Sequence, residues 1–535
     1  MKKIYYFPFL FLATLFSCVK LKEKPQSFIS SDQFYNTQSD AINAVNAVYF
    51  LLNSGGNAVQ TPYNTLFSTG MDMMTDDIDP GPGATNPDVR SQAQLLHNSS
   101  GLRVLQIWQQ HYAGIYKANV AILEVPGINM DGTLKNRLVG ESKFLRALYY
   151  FNLVRLYGDV PLLTTPTNSL DPSDLQVHRT SSAEVYAQIE KDLTEAADAL
   201  PTSYTGTDIG RATKGAALAL LAKVYLTEAS FPLQWTEKYQ DAVTTAQQVV
   251  DLGVYSLLSE YYQVFAPAYK NLQVNENIFA AQFQSNSQGQ GNNQAPRGAR
   301  KNVPGVTGAN YADQVRFYTV PDTSKVDGQD HFFSVYKLFQ YGDKRKDSPI
   351  INGQLQNGTF TTRFVGSDNK FYGDVNNKAN DKTTRGDSVP YLNKWWDVSQ
   401  ASNLSQSAAN VPIIRYSELL LILAEAENEL SGPSTKALSA LNQVRQRANL
   451  SAIGDGALSQ NQFREEVYLQ RRLELVWENQ RWFDLIRQKD STNNRVMVAK
   501  LHVVGKTAAS DKHYLYPIPL QEIQLNPNLT QNPGW

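Results

Sequence analysis

The chain has 535 residues, 42% of them hydrophobic, with 49 Lys+Arg against 50 Asp+Glu and a mean hydropathy of −0.38. This length and apolar content support a sizeable core, while the balanced charge and the lack of a long basic run exclude the electrostatic footprint of a nucleic-acid binder. One cysteine, Cys18, excludes an intramolecular disulfide.

At the N-terminus, Lys2 and Lys3 precede the apolar run from Ile4 to Phe16 and the small residue Ser17. Charged region, apolar region and cleavage site in that order specify export. The run is shorter than the roughly 20 residues that cross a hydrocarbon core, and Pro8 interrupts it, so a permanent membrane span is the weaker reading. Leu15-Phe16-Ser17-Cys18 resembles the lipobox of bacterial lipoproteins, in which the cysteine sulfur receives a diacylglycerol; Phe16 is bulkier than that pattern usually holds. The charged stretch from Val19 to Gln26, with Pro25, reads as a flexible tether. No later apolar stretch is long enough to span a bilayer.

Helical periodicity dominates the next 220 or so residues. Ala41, Val45, Val48 and Tyr49 share one face, and a second amphipathic stretch runs from Leu102 to Leu123. From Leu134 to Leu156 a broad apolar face includes Leu138, Phe144, Leu145, Leu148 and Phe151, with Glu141, Lys143 and Arg146 off it, until Gly158 and Pro161 stop the helix. A helix over Ser181 to Leu200 takes Ser182 as cap and ends at Pro201. The pair Ala212 to Glu228 and Trp235 to Leu252, with small alanines at 216, 217, 219 and 222, predicts an antiparallel hairpin of closely approaching helices. A comparable pair, Ile414 to Leu430 and Thr435 to Ala448, lies near the other end. Helix pairs of about 34 to 40 residues suggest tetratricopeptide-like repeats, although the full repeat consensus is absent and generic helical packing also places alanines at contacts.

Between these regions, residues 261–410 carry many turn residues, such as Ser-Gln-Gly-Gln-Gly-Asn-Asn at 287–293. Aromatics including Tyr311, Phe317, Tyr318, Trp395 and Trp396 are too numerous for a disordered linker. The segment is expected to pack on the helices through a few short strands such as Asn277 to Phe283, without forming an independent domain. The fold class is therefore mainly α: a tetratricopeptide-like helical-repeat scaffold with a long loop-rich insertion containing a few short strands.

Several segments then resemble one family in the right order: ESKFLRALYYFNLVRLYGDVPLL from Glu141, ALLAKVYL from Ala219, IRYSELLLILAEAE from Ile414, LNQVRQR from Leu441, RLELVWENQRWFDLIR from Arg472, and the ending YPIP from Tyr516 and NPNLTQNPGW from Asn526. Together they are similar to the SusD/RagB nutrient-uptake lipoproteins and cover most of the chain. Gln470 departs from the glutamate usual before the arginine pair, which is expected to remove a local ion pair. The resemblance implies a surface-exposed, lipid-anchored protein of the cell outer membrane, of the Bacteroidetes type. It implies a SusC-like TonB-dependent barrel as partner, and capture of glycan or sometimes peptide without turnover. The expected division is a lipoprotein signal peptide over 1–17, a lipidated tether over 18–30, and one domain over 31–535 with scaffold at 31–260 and 411–490, insertion at 261–410 and tail at 491–535.

Ligand loops in this family follow the first helix and lie in the central insertion, here about 63–95 and 284–341. Sugars offer hydroxyl edges and C–H faces, so Asp72, Asp76 and Asp77 are hydroxyl-binding candidates and Tyr311, Phe317 and Tyr318 stacking candidates. Loop aspartates more often cap turns, and loop aromatics more often pin a loop to the core. Trp395 and Trp396, beside Lys394, read as a packing motif of the core. The Asp-rich run 72–79 holds oxygen ligands of the kind calcium takes but lacks the spacing and glycine of a calcium loop, so no metal or other cofactor is predicted. His97, His111, His178, His331, His502 and His513 form no zinc pattern. The charged stretch Arg471 to Arg487 reads as one helix whose Glu474, Glu478, Arg481, Asp484 and Arg487 pair along the scaffold. No motif nominates the carboxylate pair of a surface glycoside hydrolase, which stays as one alternative beside a protein-binding helical-repeat adaptor.

Overall fold

The computed structural model describes residues 34–53, 60–81, 83–167, 169, 171–286, 290–294 and 406–535, with short stretches between 297 and 397. Its frame is a run of helices: α1 (Gln38–Asn53), α2 (Leu102–Glu124), α3 (Gly132–Tyr157), α4 (Ser182–Ala199), α5 (Lys214–Ala229), α6 (Lys238–Asp251), α7 (Tyr416–Ser431), α8 (Thr435–Arg447), α9 (Gln460–Glu474) and α10 (Arg481–Arg487). Each of α2 to α6 packs on its neighbour in sequence, α7 packs on α6, and α8 and α9 pack on α7. This neighbour-on-neighbour stacking is the tetratricopeptide-like arrangement expected from the sequence. Among the described residues no helix is long and apolar enough to cross a membrane.

Local chemistry sets the helix ends. The Asp131 carboxylate accepts from the Leu134 N–H at 2.8 Å to start α3, and Gly158, at φ +71°, ends it. Ser181, one residue before the expected cap, starts α4 by accepting from the Glu184 N–H. Ser459 and Gln462 form a reciprocal capping box on α9. Small residues then set how closely helices approach. Ala216, Ala217, Ala219 and Ala222 of α5 are all fully buried. A Cβ on Gly114 of α2 would stand 2.5 Å from the Tyr149 ring of α3.

Two helical stretches differ from the sequence reading in burial or continuity. Glu141 and Arg146, placed off the apolar face of α3, are buried too, because α3 lies between α2 and α4: Arg146 forms a bidentate pair with Asp192 of α4, and Glu141 meets Arg137 and Arg211. The stretch Arg471–Arg487 is two helices, since Trp477 and Asn479 take left-handed φ of +56° and +59° between α9 and α10. Its charges therefore point to distant partners, and Asp484 with Arg487 is the local pair within α10.

The strands are short antiparallel pairs. β1 (Ile78–Pro80) pairs with β3 (Val315–Phe317), β2 (Asn277–Ala281) with β8 (Val411–Arg415), β4 (Val320–Asp322) with β5 (His331–Phe333), and β6 (Gln354–Gln356) with β7 (Thr359–Thr361). Residues Ile414 and Arg415, read as the start of a helix, belong to β8, where they line up with the strand expected from Asn277. One continuous apolar core runs from Tyr63 and Phe67 through the helices to Tyr516. The tail closes across the end of α3: Asn532 donates to the Tyr157 and Tyr516 carbonyls at 2.9 and 2.7 Å.

Candidate functional site

The loop after α1 is fixed from its first residues. Tyr63 and Phe67 pack edge to face with ring centroids 5.1 Å apart, and the Asn152 side chain of α3 donates to the Tyr63 hydroxyl at 3.2 Å. The insertion then meets this loop at two places. The Asn293 N–H donates to the Asn64 side chain at 2.9 Å and the Gln294 amide to the Tyr63 carbonyl at 2.6 Å. Further on, β1 and β3 align Ile78 with Phe317 and Pro80 with Val315. The described parts of the two segments nominated from sequence, 63–95 and 284–341, thus meet in one loop layer over the scaffold.

Within that layer Asp72, Asp76 and Asp77 are buried, at 1%, 4% and 1% exposure, so the expectation that they meet ligand hydroxyls is corrected: their carboxylates face inward. Arg481 donates to both oxygens of Asp76 at 2.8 and 2.7 Å, Arg472 donates to Asp77 at 2.6 Å and approaches Asp76 at 2.9 Å, and the Asn479 N–H donates to Asp72 at 3.2 Å. Burial works against ionisation of Asp76, but the Arg472 and Arg481 guanidinium groups outweigh it and hold its carboxyl below the usual range. Burial raises Asp77, and it pushes Asp72 up to about 8, so Asp72 is mostly neutral at pH 7. Lys506 holds the inner side of the turn by donating to the Met73 carbonyl at 2.6 Å, and its own burial pulls its pKa down to about 8. The three aspartates therefore position the loop. Of the anchors Arg472 and Arg481, the sequence reading names Arg481 as a helix-face charge; about 400 residues of chain separate both from the aspartates, and no local spacing signals that pairing.

Glu276, Arg345 and Lys394, described residues of the insertion, are tied down by the same chemistry. Glu474 of α9 is fully buried and accepts from Arg345, Arg415 and Arg447. Arg415 also donates to Glu276 at 2.8 Å and to both oxygens of Glu478, and Lys394 donates to Glu478 at 2.5 Å. Burial alone would raise Glu474, yet Arg447, Arg415 and Arg345 together hold it well below the usual carboxylate range. Gln470, where an acid was expected from the resemblance, accepts from Arg345 at 2.8 Å, and Arg345 takes its charge partners from Asp343 and Glu474. Trp395 is buried, as read from sequence, and so is Lys394 beside it. Of the stacking candidates, Tyr311 and Tyr318 lie outside the described residues and Phe317 is described through its backbone in β3; Trp396 and the lipidation candidate Cys18 also lie outside them. Among the described residues no group of three or more His, Cys, Asp and Glu side chains is arranged to hold a metal ion.

Comparison with known proteins agrees with this architecture. A SusD family model matches residues 275–535, and a model described as starch-binding and associating with the outer membrane matches residues 34–226. A SusD-like protein of Formosa agariphila is 27% identical over 97% of this chain and 95% of its own. The starch-binding protein SusD of Bacteroides thetaiotaomicron is 23% identical over 84% of this chain and 82% of its own. The crystal structure of a SusD homolog from Bacteroides thetaiotaomicron superposes with a TM-score of 0.73 at 25% identity, covering 94% of this chain and 98% of that one. The ordered segments from Glu141 to Trp535, the helical stack with its inserted loop layer, and these matches make this chain a member of the SusD/RagB family.

Proposed function

We propose that this protein is a cell-surface, lipid-anchored glycan-binding protein of the outer membrane, which captures oligosaccharide on its loop layer and delivers it to a SusC-like TonB-dependent barrel. The observation that carries this reading is the pairing of β1 with β3, which joins two loop segments on a scaffold whose relatives include a starch-binding protein. Buried ion pairs make the layer rigid from below, so ordering a ligand costs little extra loop entropy. Tyr311, Phe317 and Tyr318 supply stacking faces in this proposal, and Asp72, Asp76 and Asp77 act as positioning residues for the loop after α1. Cys18 is the anchor: two acyl chains hold a protein stably on a bilayer, and the tether after it leaves the body free to move beside the barrel.

The test is equilibrium binding of the full chain in detergent to a panel of starch fragments, other oligosaccharides and peptides, with reducing-sugar release followed in parallel. Saccharide binding without release is the expected result. Release would make the protein a surface glycoside hydrolase, and binding of protein alone would make it a helical-repeat adaptor. Alanine at Tyr311, Phe317 or Tyr318 should each weaken saccharide binding, by about 1–3 kcal/mol per lost stack. Cys18→Ala should release the protein from the membrane and leave its affinity in solution unchanged.

A further inference from the structure

A second cleft, of about 410 Å3, is lined by no residue of the loop layer and opens between the end of α3, the start of α4, the turn after α5, α10 and the tail. Its walls carry Arg155, Arg179, Arg487, Arg495 and Lys512 against two carboxylates, Asp159 and Asp511. Glu425 and Asp484 already engage Arg487, which leaves the lining with an excess of two positive charges.

Three of the arginines there, Arg155, Arg179 and Arg495, differ from the ion-paired arginines of the scaffold. Arg146, Arg345, Arg415, Arg447, Arg464, Arg471 and Arg481 all have carboxylate partners. Arg155, only 8% exposed, donates instead to the Phe151 carbonyl and the Asn152 side chain, with its guanidinium carbon 3.8 Å from the Phe151 ring centroid and 3.5 Å from that of Phe483. Arg495 lies 3.1 Å over the Tyr514 ring, and its Nε is buried with no hydrogen-bond partner. Arg179 donates to the Tyr157, Asp159 and Thr530 carbonyls and to the Asn532 side chain. Among the described residues none of these three is within ion-pair distance of a carboxylate. Burial lowers the pKa of all three, that of Arg155 to about 10, which still leaves them charged at neutral pH.

Guanidinium charge in excess of carboxylate, held in a partly desolvated, aromatic-lined cleft, is a preorganised anion site. The volume suits a saccharide of one or two units. Half-buried Phe231 and Leu233 offer an apolar wall beside the cations. We infer that this cleft binds the anionic substituent of a small acidic saccharide, either a uronate carboxylate or a sulfate ester, as a site separate from the loop layer.

The test is calorimetric titration of the full chain in detergent with glucuronate, glucose 6-sulfate and glucose. At least one acidic sugar should bind about tenfold or more tightly than glucose, with affinity falling as salt rises, and comparing the two acidic sugars says which anion the cleft prefers. Arg495→Gln should weaken that binding about tenfold. Asp511→Asn removes an exposed competing carboxylate and should tighten it about twofold or more, a gain that a folding defect cannot produce. Equal binding of glucose, no binding of either acidic sugar, or an unchanged affinity in Asp511→Asn overturns the proposal. So does an unchanged affinity in a folded Arg495→Gln protein, which would place any acidic-sugar binding elsewhere.

Discussion

The stack α2 to α6 and the junction beneath the loop layer solve the same problem, holding chain segments together, with different interactions. In the stack, alanines and glycines bring helices close and apolar side chains fill the space: Ala216, Ala219 and Ala222 are fully buried, and Gly114 leaves room for Tyr149. At the junction the buried groups are charged, with Glu276, Glu474 and Glu478 matched to Arg345, Lys394, Arg415 and Arg447. Helices gain register from periodic side chains, whereas an irregular loop segment has no periodic face to offer. Bidentate, directional pairs fix such a segment in one position, and their strength depends on every partner being present.

That contrast predicts where the protein is most fragile. Glu474→Gln keeps the shape of the side chain but removes the charge that Arg345, Arg415 and Arg447 share, leaving buried guanidinium groups undercompensated. Stability should fall by about 3–5 kcal/mol, read as a lower midpoint of urea unfolding. A loss below about 1 kcal/mol would mean that the junction is held by its apolar contacts, as the stack is.

His111 lies where the two regions meet, on α2, with its ring stacked on Phe67 of the loop at 5.7 Å. Its Nδ1 lies 2.6 Å from the Ile107 carbonyl and its Nε2 is buried with no hydrogen-bond partner. Burial, opposed by that carbonyl, pulls its pKa from 6.5 down to about 4. A depressed folded pKa means that the unfolded chain binds the extra proton, so the contribution is fully present above pH 6.5 and is lost as pH falls towards 4. The loss amounts to about 3 kcal/mol across that window. Asp72 runs the other way: its raised pKa gives stability as pH falls from about 8 towards 4, so the whole-protein curve mixes both signs. The difference between wild type and His111→Phe isolates the histidine, and the variant should lose less stability than wild type between pH 6.5 and 4. Parallel curves would show that His111 does not stay neutral in the fold.

Much of the stack is written in its own sequence. Periodic apolar positions, a cap such as Asp131 and a stop such as Gly158 or Pro201 lie within a few residues of what they control, so most helix ends read from sequence fall within about three residues of those observed. The junction is not written locally. Asp76 and Arg481, or Glu276 and Arg447, are paired only once the chain has folded, and a charged residue next to an apolar run looks the same whether it faces water or a distant partner. The break between α9 and α10 has no Gly or Pro to announce it, and Trp477 continues the apolar spacing across it. Within β8, by contrast, a usable signal was present: Val411, Pro412, Ile413 and Ile414 hold three β-branched residues and a proline, which favour an extended edge over a helix start.

The stack should fail in its own way, by overfilling. Gly114→Ala puts a methyl group 2.5 Å from the Tyr149 ring, whose hydroxyl is fixed by donating to the Val48 carbonyl at 2.8 Å, so the ring cannot swing aside without losing that bond. The expected cost is about 1–3 kcal/mol in urea unfolding, smaller than that of Glu474→Gln because two helices can shift slightly apart whereas an unpaired buried charge keeps its penalty. Gly114→Ala combined with Tyr149→Phe frees the ring and should recover part of the loss.

The smallest effect expected is at the start of α5, where a cap and a packing contact share one hydroxyl. The Thr213 hydroxyl accepts from the Ala216 N–H at 3.1 Å and also bonds the Tyr255 hydroxyl at 2.9 Å, while Tyr255 covers Gly215 so closely that a Cβ there would stand 2.5 Å from its ring. Thr213→Ala should therefore cost about 1 kcal/mol, the usual loss of a cap, and Thr213→Ser should restore most of it because the hydroxyl serves both partners. Should Thr213→Ala and Tyr255→Phe together cost no more than the larger single change, the shared hydroxyl is what couples cap to packing. Fully additive costs would instead make the helix start independent of the turn that covers it, and the stack would then be held by packing alone.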